Sequence, residues 1–282
     1  MVGIPTVLHV GLVWVPTLAS VVLSFCRWDG IGGLGTIEWD GLQNYRDIVS
    51  IYPPFWPAIQ HNVIWLLFFV LVPTTLGLFL AYLLDKNLKG TRLYQSAIFL
   101  PVVLSLAVVG FIWELVYSDD RGFVNNAVRV VDPSFHVDWL GNPHINLWAV
   151  LVAASWRHVG YVMIIFLAGL KSVDPSMREA AAVDGANEWQ VFRHVVFPAL
   201  APVNVVVFVI TVIESLRAFD IVYVINGGKN GLELLSVLVT DNILGEASRI
   251  GYGSALAVIL LVVSLSVIMP YLYRVFRRDV IE

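Results

Sequence analysis

The sequence predicts an all-α, polytopic membrane protein with six transmembrane helices, and three observations carry that prediction. Of the 282 residues, 58% are hydrophobic and 13% charged, with a mean hydropathy of +0.79; a soluble domain carries about a quarter charged residues. Six apolar runs are each long enough to cross a hydrocarbon core of about 30 Å, which takes about 20 helical residues. The 17 lysines and arginines are distributed unevenly about those runs. The net charge of −4 and pI of 5.8 leave no electrostatic footprint for nucleic acid. A single cysteine, Cys26, excludes an internal disulfide framework. No Cys/His group has zinc-ligand spacing, and no metal site is expected.

The first run, 4–25, lacks a basic leading region and a small-residue cleavage site, so it reads as a retained span and not a signal peptide. The others are 61–84, 95–117, 147–170, 199–219 and 253–273. Pro73, Pro101, Gly110, Gly160 and Gly169 interrupt spans at points where helices bend. The last run opens on Gly251, Gly253, Ser254 and Ala255, small residues that permit close helix approach.

Six spans place both termini on one side. Residues 85–94, 171–198 and 274–282 hold nine of the basic residues, whereas the longer loops opposite hold six. The density differs about threefold, which puts both termini in the cytoplasm. Arg27 alone argues locally for the reverse. Among the external loops, 27–60 is rich in glycine and carries Trp39 and Trp56, rings suited to the headgroup level. In the third external loop, 220–252, residues 232–247 read as an amphipathic helix with apolar positions 234, 235, 238 and 239. It either lies on the outer surface or dips partway in.

One polar stretch with helical character interrupts the apolar pattern at 174–198. Asp174-Pro175 is a helix start, an N-cap followed by a proline whose missing N–H costs nothing there. Good helix formers follow, and Asp184-Gly185 closes the helix, because glycine adopts the left-handed conformation readily. Asn187 with Gln190 then forms a capping box for a second helix. Trp189, Phe192, Val195 and Val196 lie on one face of that helix, and Pro198 is expected to end it. Such a pair, apolar on one side, belongs in the interface plane with its other side toward a soluble partner.

Glu179-Ala180-Ala181, Asp184-Gly185-Ala186 and Phe197-Pro198 together resemble the EAA signature of membrane-spanning permease subunits of binding-protein-dependent ABC importers. The preceding Phe166-Leu167-Ala168-Gly169-Leu170-Lys171-Ser172-Val173-Asp174-Pro175 resembles the carbohydrate-importing branch. Further resemblances lie in Gly41-Leu42-Gln43-Asn44-Tyr45, in Gly122 to Asn126 with Trp139-Leu140, and in Phe219-Asp220 to Gly228. The match covers nearly the whole chain and is weakest over 1–25. For Asn44-Tyr45, plain loop packing is the favoured reading.

The resemblance implies the six-transmembrane-helix fold of type I importers, with residues 1–282 as one permease domain. It implies that the 174–198 loop is a coupling helix docking in a cytoplasmic ATPase. Glu179, Ala180, Ala181, Asp184, Gly185, Ala186, Asn187, Trp189 and Phe192 are then the docking residues. Glu179 is assigned the polar contact, Gly185 the turn, and Trp189 and Phe192 the seat. It further implies a second homologous permease, a paired ATPase that holds ATP and magnesium, and an external solute-binding protein or lipoprotein. No cofactor is expected in this chain. Asn226, Gly227, Gly228 and Lys229 fall where the binding protein is met, with Asn226 standing where threonine is usual and Lys229 where proline is.

Ionisable groups at membrane depth mark a pathway or a pair. In one account Glu214 pairs with Arg217, three residues on, and Arg157 with Glu114 or a partner subunit. In the other, Trp156, Arg157, Tyr161, Glu214 and Arg217 line a translocation cavity, since planar hydrogen-bonding groups and aromatic faces hold sugars. The chain has no phosphate-binding loop of the G-x-x-x-x-G-K-S/T type, so ATP hydrolysis falls to a partner. The expected function is thus half of the translocation pathway of an ATP-driven importer for a sugar or oligosaccharide. The alternatives are the same permease type for a glycerol-phosphate ester, peptide or other polar solute, and an ion-coupled secondary transporter. The latter calls for inverted repeats, which do not show between 1–141 and 142–282. Six scattered histidines give no catalytic cluster, so no enzyme is expected.

Overall fold

A computed structural model describes residues 3–31, 33–86, 89–245 and 248–279. Four apolar helices are long enough to cross a membrane: Gly3–Leu23, Phe55–Asp85, Asn146–Ser172 and Ile250–Val275. The third span is a bent pair, Thr91–Val103 with Leu106–Val116, and the fifth is Ala201–Asn226, joined at a bend to the apolar helix Glu188–Ala199 that precedes it. Six crossings therefore arise as expected, but not all as single rods.

The third span departs most from expectation. Its two helices meet at 102° where one run over 95–117 was expected. Pro101 removes a backbone donor and crowds the preceding turn. Leu104 then takes an extended conformation (φ −78°, ψ 142°), and Ser105 caps the second helix by accepting from Val108 N at 3.3 Å. The freed Leu104 carbonyl accepts from Arg157 Nε at 3.3 Å. Backbone outside a helix is tolerated at membrane depth when a neighbour satisfies it in this way.

Asn146–Ser172, the fourth span, is the axis of the bundle, with buried residues along its whole length. Glycines set its distance from both neighbours. A Cβ at Gly77 of the second span would lie 3.1 Å from the Val159 carbonyl oxygen, and one at Gly160 only 2.3 Å from that of Ile98. Around this axis Trp65, Phe69, Val109, Val150 and Leu151 form the core of one half, and Met163, Phe166, Leu170 and Leu200 that of the other. Gly3–Leu23 buries no residue within the chain and runs along the sixth span.

Two-residue strands, Cys26–Arg27 and Glu38–Trp39, pair antiparallel outside the first span. Asn44 fastens this loop, donating from Nδ2 to the carbonyls of Ser24 (3.0 Å) and Cys26 (2.9 Å). Tyr45 adds a bond to Ser24 Oγ at 2.7 Å, so the Asn44-Tyr45 pair does pack the loop. The helix sought over 232–247 spans Leu235–Leu244; residues 246 and 247 lie outside the described set. It is set into the bundle and does not lie on its surface. Leu232, Leu234 and Leu235 are fully buried, and Asn62 Oδ1 on the second span accepts from Leu235 N at 2.9 Å. Close packing of the sixth span rests on Gly251, where a Cβ would meet the Cys26 carbonyl oxygen at 2.0 Å.

Candidate functional site

The polar element between the fourth and fifth spans forms from local signals. Asp174 Oδ1 accepts from Ser176 N at 2.9 Å and caps helix Pro175–Val183. The bonds from Ser176, its backbone N–H foremost, hold the Asp174 carboxyl below its ordinary value of 3.8. The cap is therefore complete above that value and is lost as pH falls through the lowered one. At the other end Ala186 N bonds Ala181 O (3.0 Å) and Gly185 N bonds Ala182 O (3.1 Å), the paired closure of a Schellman motif. Gly185 has φ +83°. Asn187 N then donates to Gln190 Oε1 (2.8 Å) while Gln190 N donates to Asn187 Oδ1 (3.0 Å), the expected capping box.

The second helix runs past its expected stop. It widens into a π-helical stretch, Phe192–Val196, and continues through Phe197–Ala199. Pro198 sits in the first turn of that last piece, where no N–H is needed, and the 73° bend into the fifth span falls beyond Ala199.

The open space around Gly185 isolates its role. Nothing lies within 4 Å of a Cβ built there, so only backbone conformation resists a side chain. Gly185→Val is expected to strain the turn by about 1–2 kcal/mol, the cost of a left-handed L-residue, and to lower uptake with normal membrane abundance. Gly185→Asn, which tolerates this conformation, should retain transport. Equal uptake by both variants would refute the turn assignment.

A seat that sequence reading missed fixes this element to the end of the second span. Arg178 Nη1 meets Asp85 Oδ2 at 2.7 Å, and its Nη2 donates to the Leu170 carbonyl at 3.0 Å. Lys86 Nζ meets Glu188 Oε2 at 2.6 Å and lies over the Tyr82 ring at 4.9 Å. The Glu188 bond holds the Lys86 ammonium above its ordinary range. Phe192 packs edge-on against Tyr82, with centroids 4.9 Å apart. The one available signal was Asp85-Lys86, two opposite charges at the end of an apolar run facing a loop that holds Arg178 and Glu188.

The expected docking residues divide accordingly. Glu179, Ala180, Asp184, Gly185, Asn187 and Trp189 are exposed, Ala181 and Ala186 are half-buried, and Phe192 is turned into the bundle. Trp189 stacks on Phe192 and remains 64% exposed. Glu179 makes no ion pair among the described residues.

Within the membrane, Arg157 Nη1 approaches Glu214 Oε2 at 3.7 Å. This corrects the account in which Glu214 pairs with Arg217: Arg217 ends the helix, exposed, whereas Glu214 faces the fourth span. Nor does Arg157 meet Glu114. A small cavity beside the pair is lined by Trp65, Phe69, Arg157, His158 and Glu214, among others. His158 is buried, with Nε2 3.2 Å from Thr211 Oγ1. Trp156 points elsewhere, edge-on to Trp113, and half-buried Tyr161 is not among the cavity's lining residues.

Between the fifth and sixth spans Asn226 ties its own turn. Its Oδ1 accepts from the N–H groups of Gly228 (3.1 Å) and Lys229 (3.3 Å), and its Nδ2 donates to the Lys229 carbonyl (2.6 Å). Gly227 and Gly228 both have φ +67°, and Gly228 is buried against Val237. Of the four expected contact residues, only Lys229 is exposed. Asp119, Asp120 and His136 bring possible metal-ligand atoms within 4.8 Å of one another, but Asp119 Oδ1 already meets His136 Nε2 at 3.0 Å on the exposed surface.

A helical bundle of apolar spans with one polar helix pair beyond them and an ion pair between the fourth and fifth is the architecture of a multi-pass membrane protein. The chain belongs to the family of binding-protein-dependent transport system inner membrane components, whose model matches residues 13–282. It is 34% identical to a xylose/arabinose import permease of Haloferax volcanii over 98% of this chain and 87% of that one. A probable ABC transporter permease of Pyrococcus horikoshii is 31% identical over 98% and 94% of the respective chains. The fold matches a chain of the bacterial alginate ABC transporter, solved in complex with an alginate pentasaccharide-bound periplasmic protein. That match has a TM-score of 0.81 and 20% identity over 94% and 89% of the two chains. The protein is a transmembrane permease subunit of an ABC importer.

Proposed function

We propose that this chain forms half of the translocation pathway for a sugar or oligosaccharide that a solute-binding protein delivers. The 174–198 loop docks in a cytoplasmic ATPase through the exposed side of its helices, and a second, homologous permease completes the pathway. Both termini lie in the cytoplasm. The carrying observation is the seated coupling element: two short helices closed by Gly185, fixed by Arg178 and Phe192 to the end of the second span, presenting Glu179, Asp184 and Trp189 outward. Movement of a docked ATPase pair then reaches the second and fifth spans directly, because the element is bonded to the one and continuous with the other. ATP and magnesium belong to the ATPase.

A sugar as solute is supported by the kinship with a xylose/arabinose import permease; the cavity beside the Arg157–Glu214 pair, about 20 Å³, is water-sized and does not itself hold a sugar. A glycerol-phosphate ester is the alternative that the coupling element fits equally well. Co-purification of the tagged chain from its native membrane should bring an ATPase, a second six-span permease and a binding protein. In that assembly, Arg157→Gln and Glu214→Gln are expected to lower uptake about tenfold, the loss of roughly one charge-assisted bond. Unchanged uptake with preserved assembly would exclude the pair from the pathway.

A further inference from the structure

A second cavity, of about 370 Å³, opens among the second, fourth, fifth and sixth spans; Thr74, Thr75, Asn204, Thr211 and Tyr271 give it a polar strip in a wall that is otherwise mostly apolar, with Phe166 and Phe208 among its members. It lies toward the coupling element: Asn204 precedes Glu214 by ten residues on one helix, about 15 Å at 1.5 Å per residue. Among the described residues no Asp, Glu, Lys, Arg or His lines it.

Asn204 determines what this cleft faces. Its half-buried carboxamide offers two donors and an acceptor, and it has no hydrogen-bond partner among the described residues. Thr75 is exposed on the same cleft. Polar groups without partners are unfavourable against hydrocarbon and occur where a span faces a water-filled cavity.

The two cavities share a polar wall. His158, which lines the cavity beside Arg157 and Glu214, bonds Thr211 Oγ1 at 3.2 Å, and Thr211 Oγ1 lies 3.3 Å from Thr74 Oγ1. Thr74 and Thr211 both line the lower cleft. The geometry points to a second station on the solute path, a water-filled, uncharged exit vestibule. There the hydroxyl groups of a polyhydroxylated solute exchange bonds with Asn204, Thr75 and Tyr271 while its apolar faces pass the Phe208 ring. This assignment rests on the permease reading and on the cytoplasmic side proposed above.

Cysteine labelling of the assembled transporter tests it. Cys26 is the chain's only cysteine, so a Cys26→Ser background leaves single reporters. Asn204→Cys and Thr75→Cys are expected to react with a charged methanethiosulfonate from the cytoplasmic side of inside-out vesicles about tenfold faster than Val206→Cys, since a thiol in hydrocarbon is shielded from a charged reagent. Val206 is exposed at the same depth, on the opposite side of the helix. Asn204→Leu, in a complex of normal composition, should also lower uptake severalfold. Labelling no faster than at residue 206, or full uptake by the leucine variant, would overturn the vestibule. Labelling reports water access and not turnover, so its result stands apart from whether Arg157 and Glu214 contact solute.

Discussion

Arg178→Ala is expected to reduce uptake more than any substitution among the exposed residues of the coupling element, with the chain still present in the membrane. Arg178 makes two charge-assisted bonds, to Asp85 at 2.7 Å and to the Leu170 carbonyl at 3.0 Å. Its side chain is 33% exposed and that of Asp85 only 11%. Truncation leaves a largely buried carboxylate without its partner, and a bond of this kind contributes about 2 kcal/mol. That corresponds to roughly a thirtyfold shift between the seated and unseated element. Lys86→Ala should change uptake little, because Glu188 is 79% exposed and exposed pairs are weak. The exchange Arg178→Asp with Asp85→Arg should recover part of the loss, since it restores the pair but not the Leu170 bond. Uptake and ATPase activity of the reconstituted complex check the series. Equal behaviour of Arg178→Ala and Lys86→Ala would contradict the seat.

Gly160→Val is expected to prevent recovery of folded protein. A Cβ there stands 2.3 Å from the Ile98 carbonyl oxygen and 3.0 Å from a Val102 methyl. Backbone does not yield as a side-chain tip does, so the third span must move off the fourth, at about 3 kcal/mol for overpacking. The same movement withdraws Leu104 from Arg157, whose bond satisfies the broken helix. Gly110→Ala is the milder comparison, because its Cβ would meet a Val224 methyl at 3.2 Å and no backbone atom nearer than the Ile221 carbonyl oxygen at 3.5 Å. A monodisperse peak from Gly110→Ala and none from Gly160→Val, after detergent extraction, is the anticipated result. Normal yields from both would show that the third span does not pack as closely as described.

These two sites mark where sequence reading stopped. Residues 174–190 were legible because each signal is local: Asp174 bonds a residue two positions on, and Asn187 and Gln190 bond each other across three. The seat was not, since Asp85 and Arg178 are 93 residues apart and either charge alone looks like a solvated end of a span. Arg157 and Glu214 were singled out for depth, but their partners depend on how the fourth span is rotated against the fifth. That rotation is set by packing at Gly169 against Leu200 and Val203, which periodicity does not encode. Pro101 signalled a bend in the third span. Its size depends on whether some donor can satisfy Leu104, and that donor comes from another span. The helix Leu235–Leu244 had the right apolar positions, but its depth is fixed by Asn62, far away in sequence.

The central claim is that the exposed side of residues 175–190 is where force from the ATPase enters. Site-directed cross-linking from residue 179 tests it most directly. In a Cys26→Ser background, Glu179→Cys carrying a short photoreactive label should join the chain to the co-purified ATPase, and the yield should change between nucleotide-free and ATP-bound states. A reporter at Lys229, on the opposite side of the bundle, should give none. Cross-links from residue 179 only to lipid or to another permease, in a complex that still transports, would contradict the claim.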